Sequence, residues 1–118
     1  MTTARARLVR LHNGREAYTD SASWRAECEA RTVLLMDYPK QREFLRAVEE
    51  RRGADAVAAL RDLMHDVEPS FLLGLPDKDA RRAYLNRVER DRGLNARTHL
   101  ETRARAIWKT TQPTEGAA

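Results

Sequence analysis

The sequence predicts a mainly α-helical fold: a compact bundle of two repeated helical hairpins plus an N-terminal helix, with a small N-terminal β-hairpin. Three observations carry this prediction. Apolar residues recur at helical spacing along most of the chain. Residues 44–60 and 84–100 repeat one pattern. Finally, Asn13-Gly14 stands between two short segments that alternate apolar and polar residues.

The β-hairpin is predicted over residues 5–19. Asn-Gly accepts positive φ at both central positions of a type I′ turn, which joins two antiparallel strands by a two-residue loop. Because an isolated two-stranded hairpin is marginally stable in water, we expect this one to lie against the helices.

The first helix begins near the "DSAS" stretch. Asp20, Ser21 or Ser23 can cap it, and its apolar face carries Trp24, Cys28 and Leu35. Pro39 ends this helix and suits the first turn of the next one.

The second and third helices are predicted to meet at a glycine. The second runs over about 39–52 with Phe44, Leu45 and Val48 inward, and Gly53 supplies a left-handed residue that ends it. Asp55 then caps the third helix. Its apolar stripe consists of Val57, Leu60, Met64 and Val67.

The second copy follows the same plan after a break at "EPSFLLGLPD" (68–77). A helix over about 78–92 ends at Gly93, and Asn95 caps the last helix. The inward side chains are Tyr84, Leu85 and Val88, then Leu100, Ala104 and Ile107, with Trp108 at the edge.

The internal repeats are predicted over 44–67 and 84–107, within a single domain over 1–109 that is followed by a disordered tail over 110–118. The identical pairs are Leu45/Leu85, Val48/Val88, Glu49/Glu89, Arg52/Arg92, Gly53/Gly93, Ala56/Ala96 and Leu60/Leu100. One helical hairpin cannot cover its own apolar stripe, so we expect the two copies to stack.

The composition favours a cytoplasmic protein. No apolar run approaches the roughly 20 residues that cross a bilayer, and "MTTARARLVR" lacks the apolar core of a secretory signal. The single Cys28 has no disulfide partner in the chain. We therefore expect no contact with a membrane.

No residue pattern indicates an enzyme. The three histidines, His12, His65 and His99, are dispersed and have no metal-ligand spacing, and no glycine-rich phosphate loop or nucleophile motif is present. Glu49/Arg52 and Glu89/Arg92 recur at i, i+3, which favours ion pairs on solvated helix surfaces. We expect no catalytic residues, no metal and no cofactor.

The charge is unevenly distributed. Residues 1–40 hold seven basic and five acidic groups (net +2), residues 41–80 six and nine (net −3), and residues 81–118 nine and four (net +5). A basic C-terminal third can contact phosphates or an acidic partner. The candidate contacts are Arg81, Arg82, Arg87, Arg90, Arg97, Arg105 and Lys109. The candidate acidic partner face consists of Glu43, Glu50, Asp62 and Asp66.

Three segments carry a resemblance to a known group of proteins. "VRLHNGREAYTDS" near the N-terminus, "SWRAECEAR" (23–31) and the phrase from Leu75-Pro76 through Gly93 resemble small uncharacterised proteins encoded in bacteriophages and prophages of GC-rich bacteria. The first copy departs from that phrase, because "YPKQREFL" stands in its place. Phage proteins of this size without catalytic residues often block host machinery, including CRISPR complexes, or assist phage DNA metabolism.

Three hypotheses on function follow. The first, suggested by this resemblance, is a non-catalytic protein that docks on a host protein or nucleoprotein complex, as an inhibitor of bacterial defence. The second is a DNA- or RNA-binding accessory protein that uses the basic C-terminal helical face. The third is a self-associating structural protein, since an unclosed two-repeat stack leaves ends that can pair across a two-fold axis.

Overall fold

A computed structural model describes residues 5–111. Most of these residues are helical, and a two-stranded antiparallel sheet precedes the helices, so the predicted mainly α class with its N-terminal hairpin is confirmed. The elements are β1 (Leu8–Arg10), β2 (Glu16–Tyr18), α1 (Ala22–Leu35), α2 (Tyr38–Arg52), α3 (Ala54–Leu73), α4 (Lys78–Arg92) and α5 (Leu94–Thr111).

The hairpin exists, but its turn differs from the predicted type I′ turn. Leu8 pairs with Tyr18 and Arg10 with Glu16. The Leu11 N–H donates to the Arg15 carbonyl at 2.8 Å, and the Gly14 N–H donates to the Leu11 carbonyl at 3.0 Å. The loop therefore has three residues, and within residues 5–111 only glycines have positive φ, Gly14 among them. This combination is typical of a three-residue hairpin loop with glycine in its last position.

α1 begins after Ser21, whose hydroxyl accepts a hydrogen bond from the Trp24 N–H at 3.1 Å. Of the three capping candidates, the middle one is confirmed. The predicted apolar face is only partly right: Trp24 and Cys28 are half-buried, while Leu35 is 68% exposed. The buried apolar residues of α1 are Ala30, Val33 and Leu34.

Short loops separate α1 from α2 and α3 from α4, and an aspartate caps the helix that follows each loop. Asp37 accepts from the Lys40 N–H at 3.0 Å, with Pro39 in the first turn of α2, as its sequence position predicts. Asp77 accepts from the Ala80 N–H at 2.8 Å at the start of α4.

A single glycine joins α2 to α3, and another joins α4 to α5. The N–H of Gly53 donates to the Glu49 carbonyl at 2.9 Å, and its own carbonyl accepts from the Val57 N–H at 3.2 Å. Gly93 makes the same two bonds, at the same distances, with Glu89 and Arg97. Each glycine thus ends one helix and starts the next.

Two predicted details of these joints are wrong. The φ/ψ values of Gly53 (94°/172°) and Gly93 (98°/167°) have the expected positive φ, but ψ lies far from the left-handed helical value. In addition, α3 starts at Ala54 and α5 at Leu94, so Asp55 and Asn95 lie inside the helices rather than at the cap. Asp55 still suits its place, because an acidic side chain in the first turn complements the helix dipole.

The predicted break at 68–77 starts too early. α3 continues to Leu73 with Pro69 inside it, and the chain leaves helical geometry only at Gly74. The missing N–H of Pro69 removes one helical hydrogen bond. Its side chain is fully buried, as are Val67 and most of the Phe71 and Leu72 side chains that surround it in sequence, so burial of this apolar stretch outweighs the loss.

The chain divides into two compact units, one ending at Val67 and the other beginning at Glu68, so that α3 contributes to both. The buried apolar residues of the first unit are Ala30, Val33, Leu34, Leu45, Val48, Val57, Leu60 and Val67, and those of the second are Phe71, Leu72, Tyr84, Val88, Leu100 and Ala104. A single domain over 1–109 stays a prediction. α5 includes Thr110 and Thr111, the first two residues of the expected tail, and residues 112–118 lie outside the described part.

Candidate functional site

Glu27 is a buried carboxylate that fastens the β-hairpin to α1. Its side chain is 2% exposed, and Oε1 accepts from the backbone N–H of His12 and contacts His12 Nδ1, both at 2.8 Å. Oε2 accepts from Arg31 Nε at 3.2 Å. Burial works against ionisation of Glu27, but the His12 and Arg31 contacts outweigh it, and the pKa of Glu27 lies below its ordinary value of 4.5.

Glu68 is a buried carboxylate of the second unit and fastens the C-terminal part of α3 to α4. Its side chain is buried, Oε2 accepts from Arg92 Nη2 at 2.8 Å, and the Tyr84 hydroxyl donates to the same oxygen. The Tyr84 ring also packs against Phe71, with ring centroids 5.4 Å apart. Burial and then the Glu68 carboxylate raise the pKa of Tyr84 far above its ordinary value, so the phenol keeps the proton that it donates.

The predicted i, i+3 ion pairs do not form. Arg52 binds Glu29 on α1 through both terminal nitrogens, at 2.7 and 3.3 Å, rather than Glu49. Its counterpart Arg92 binds Glu68 rather than Glu89. In each copy, the arginine that precedes the hinge glycine reaches a glutamate of a preceding helix, because a long side chain at a helix end can bond to the neighbouring helix.

Sequence reasoning did not identify Glu27, Glu29 or Glu68 as structural residues. One signal was available for Glu27, which lies three residues after Trp24 and three before Ala30, on the apolar stripe of α1. A carboxylate within such a stripe must find a partner, since a buried charge without one is strongly destabilising.

Three of the seven basic candidates are engaged within the fold. Arg97 binds Glu89 at 3.1 Å, Glu101 at 3.3 Å and the Asn86 side-chain oxygen at 2.7 Å. Arg87 lies over the Tyr84 ring, with its guanidinium carbon 5.1 Å from the centroid, and Arg90 pairs with Asp91 at 3.2 Å. Because their side chains are already bound within the fold, we expect these three arginines to contribute less to partner binding than unpaired arginines.

The other four basic candidates make no ion pair or side-chain hydrogen bond within residues 5–111. Arg81 on α4 is half-buried, whereas Arg82, also on α4, and Arg105 and Lys109 on α5 are exposed. We refer to Arg82, Arg105 and Lys109 as the basic set. Arg105 and Lys109 lie one turn apart on one face of α5, and Trp108 between them is 53% exposed.

The acidic candidates all lie in the first unit and are all exposed. Glu43 and Glu50 are two turns apart on α2, and Asp62 and Asp66 are one turn apart on α3, so each pair shares a helix face. Within the described part of the chain, none of the four forms an ion pair.

No group of three or more His, Cys, Asp or Glu side chains among residues 5–111 could hold a metal ion. In the same range, no helix combines the length and the apolar character needed to cross a bilayer.

The comparisons with known proteins give one match. The family of unknown function DUF7696 matches residues 17–70 and 65–111, and each of these stretches contains one hinge glycine. None of the curated proteins matches the chain, and none of the solved structures does.

Proposed function

The chain belongs to DUF7696, a family of unknown function, and we propose that it is a non-catalytic binding protein that docks on a nucleoprotein complex through the basic set. One observation supports this proposal above the others. Arginines such as Arg52, Arg92 and Arg97 are held by carboxylates of the fold, whereas the basic set is exposed and makes no ion pair within residues 5–111.

The chemistry of these side chains suits phosphate. Arginine and lysine that neutralise phosphates release the counterions of the nucleic acid, which makes the affinity salt-dependent. The exposed indole of Trp108, beside Lys109, adds a flat surface that can stack on a base or fill a hollow in a protein. Charge complementarity of this kind also speeds association.

The decisive experiment compares two variants that each remove three positive charges. Arg82→Gln/Arg105→Gln/Lys109→Gln changes the basic set, and Lys40→Gln/Arg46→Gln/Arg61→Gln changes exposed residues of the first unit. Both variants and the unchanged chain are used to capture partners from a bacterial lysate, with and without nuclease, and captured proteins are identified by mass spectrometry. We expect the first variant to lose its partners and the second to keep them.

Direct binding to duplex DNA is measured by fluorescence anisotropy over about 50–200 mM salt. If the basic set contacts three phosphates, it contributes about 2.7 to the slope of log affinity against log salt, or about 40-fold over this range. The first variant should lose that part of the slope. Equal slopes for all three proteins contradict a phosphate contact by the basic set. In the capture experiment, a partner that is retained after nuclease treatment indicates that the chain binds a protein surface instead.

The proposal that the partner is a bacterial defence complex rests on the phage resemblance alone. It predicts that expression of the chain lowers CRISPR interference in cells and that the first variant does so less. Unchanged interference in every tested system contradicts a defence complex as the partner. The docking proposal itself is tested separately by the capture experiment.

Self-association is a second candidate with its own observation. Leu8 and Tyr18 are paired across the two strands and are 54% and 57% exposed, so they form a small apolar patch on the hairpin. Sedimentation equilibrium tests this candidate: a dimer that Tyr18→Ser dissociates supports it, and a monomer at all concentrations contradicts it.

A further inference from the structure

An open groove lies between α1 and α2 in the first unit. Its volume is about 440 Å³, within the range of small-ligand sites. The residues that line it are Glu29, Phe44, Ala47, Val48, Arg51 and Arg52. A second hollow shares Glu29 and Arg52 with it and continues along α1 past Arg25.

The repeat explains why this groove is open. Ala47 stands where the second copy has Arg87, and Phe44 stands where it has Tyr84. In the second copy the Arg87 guanidinium covers the aromatic ring, and the Tyr84 hydroxyl binds Glu68. In the first copy the methyl group of Ala47 is too short to cover the Phe44 ring, and Phe44 has no hydroxyl to tie it to Glu29.

The floor of the groove is apolar. Phe44 and Ala47 are half-buried, and Val48 lies beneath them with 5% exposure. An apolar side chain that enters from outside can therefore lie on the Phe44 ring and remove this surface from water.

The rim of the groove carries excess positive charge. Two arginines, Arg51 and Arg52, line the groove together with a single carboxylate, Glu29, and Arg25 lines the adjoining hollow. Arg51 is exposed and makes no ion pair within residues 5–111, and the second copy has Asp91 at that position.

Arg52 is held in place by two bonds to Glu29. A guanidinium has five N–H groups, so three remain for a ligand in a fixed orientation. The hydrogen bonds with Glu29 also raise the pKa of Arg52, which keeps its charge.

We propose that this groove binds an acidic peptide segment of a partner protein, with an apolar side chain on Phe44 and flanking carboxylates on Arg51 and Arg52. Arginine suits this role because its planar fork matches the two oxygens of a carboxylate. The groove contains no residue of the basic set, so it stands independently of the proposed function.

The test is an NMR titration of the ¹⁵N-labelled full chain with the peptide Asp-Glu-Phe-Glu-Asp, acetylated and amidated. We expect shifts at the amides of Ala47, Arg51 and Arg52. Two control peptides separate the contributions: one carries Ala in place of Phe, and the other carries Asn and Gln in place of the acids. Each should bind at least about tenfold more weakly.

Two variants test the geometry. Ala47→Arg introduces the residue that the second copy has at this position and places its side chain over Phe44. Arg51→Asp likewise introduces the residue of the second copy and reverses the charge on the rim of the groove. Each should weaken binding by at least about tenfold. Ala59→Arg, an exposed position on α3, adds the same charge as Ala47→Arg outside the groove and should bind like the unchanged chain.

Circular dichroism confirms that each variant is folded before its titration. The proposal is overturned if millimolar peptide produces no shifts at the groove, or if Ala47→Arg binds as well as Ala59→Arg does. Tight binding of inorganic phosphate with no preference for the Phe peptide also overturns it.

Discussion

Replacing Gly93 by alanine isolates one physical effect. At φ 98° and ψ 167°, Gly93 occupies a backbone region that is essentially restricted to glycine. A Cβ built on Gly93 meets no atom within 4 Å, so the substitution causes no collision with the rest of the protein. The whole penalty therefore comes from the residue's own backbone.

The magnitude follows from two opposing terms. A non-glycine residue held in such a region costs about 1–3 kcal/mol. Alanine also has a smaller unfolded ensemble than glycine, which offsets about 0.4–1 kcal/mol. We expect Gly93→Ala to lower the free energy of unfolding by about 1.3 kcal/mol, the difference between the middles of these two ranges. Gly53→Ala should lower it by a similar amount, because the hinge angles and both hinge hydrogen bonds are the same.

Urea unfolding followed by circular dichroism measures these changes. The matched control is Gly74→Ala, since Gly74 does not have positive φ and its Cβ would meet Ser70 and Phe71 carbonyl oxygens at 3.4 and 3.6 Å. We expect a change within about 0.5 kcal/mol there.

A D-alanine at position 93, introduced by chemical ligation, provides the sharpest comparison. For a D-residue the Gly93 angles are the mirror image of ordinary extended backbone, so the strain disappears while the unfolded-state effect remains. D-alanine should therefore stabilise the protein by about 0.4–1 kcal/mol. The reasoning is refuted if the L- and D-variants unfold at the same urea concentration.

Two further substitutions probe the buried carboxylates. Tyr84→Phe removes a hydrogen bond to the buried Glu68 and should lower the free energy of unfolding by about 1.5–3 kcal/mol. The control Tyr38→Phe, at an exposed phenol, should change it little. Equal effects would contradict a stabilising role of the Tyr84–Glu68 hydrogen bond. Glu27→Gln should destabilise the protein at pH 7. Because the folded pKa of Glu27 lies below 4.5, the contribution of its carboxylate is complete above that pH and is lost as the pH falls through the folded value. The stability gap between the two proteins should therefore close in acid, and a gap that stays constant from pH 7 to about pH 3 would show that its charge is not involved.

The elements that short-range chemistry specifies were predicted from the sequence. Ser21 and Pro39 mark helix starts, and Gly53 and Gly93 mark the joints, because each acts on the backbone within a few residues. The end of α3 was not predicted, since Pro69 is a local breaker whose effect is outweighed by burial of its surroundings. The hairpin loop was also wrong, because Asn13-Gly14 fits both a two-residue and a three-residue loop.

The candidate site was predicted only in part. Whether a charged side chain is available to a binding partner depends on contacts with residues that lie far from it in the sequence. Arg82 and Arg97 look alike in the sequence, yet Arg97 binds three side chains of α4 and α5, while Arg82 forms no ion pair or side-chain hydrogen bond within residues 5–111. Spacing along one helix predicted that Arg52 would pair with Glu49, but the structure pairs it with Glu29 on another helix. A surface pair at i, i+3 is worth too little to exclude a better-oriented carboxylate.

The two copies separate the residues that build the hairpin from those that can acquire a function. Both copies keep the hinge glycine and the arginine before it, and that arginine binds a glutamate of a preceding helix in each. They differ at Ala47 against Arg87, which decides whether the aromatic ring is covered, and at Arg51 against Asp91, which sets the charge on the rim of the groove. Since these differences leave the shared structural contacts in place, the residues at these positions can be exchanged at little cost in stability. We therefore expect the Ala47→Arg protein to fold but to lose the peptide ligand. A purely structural role of Ala47 would not produce this result.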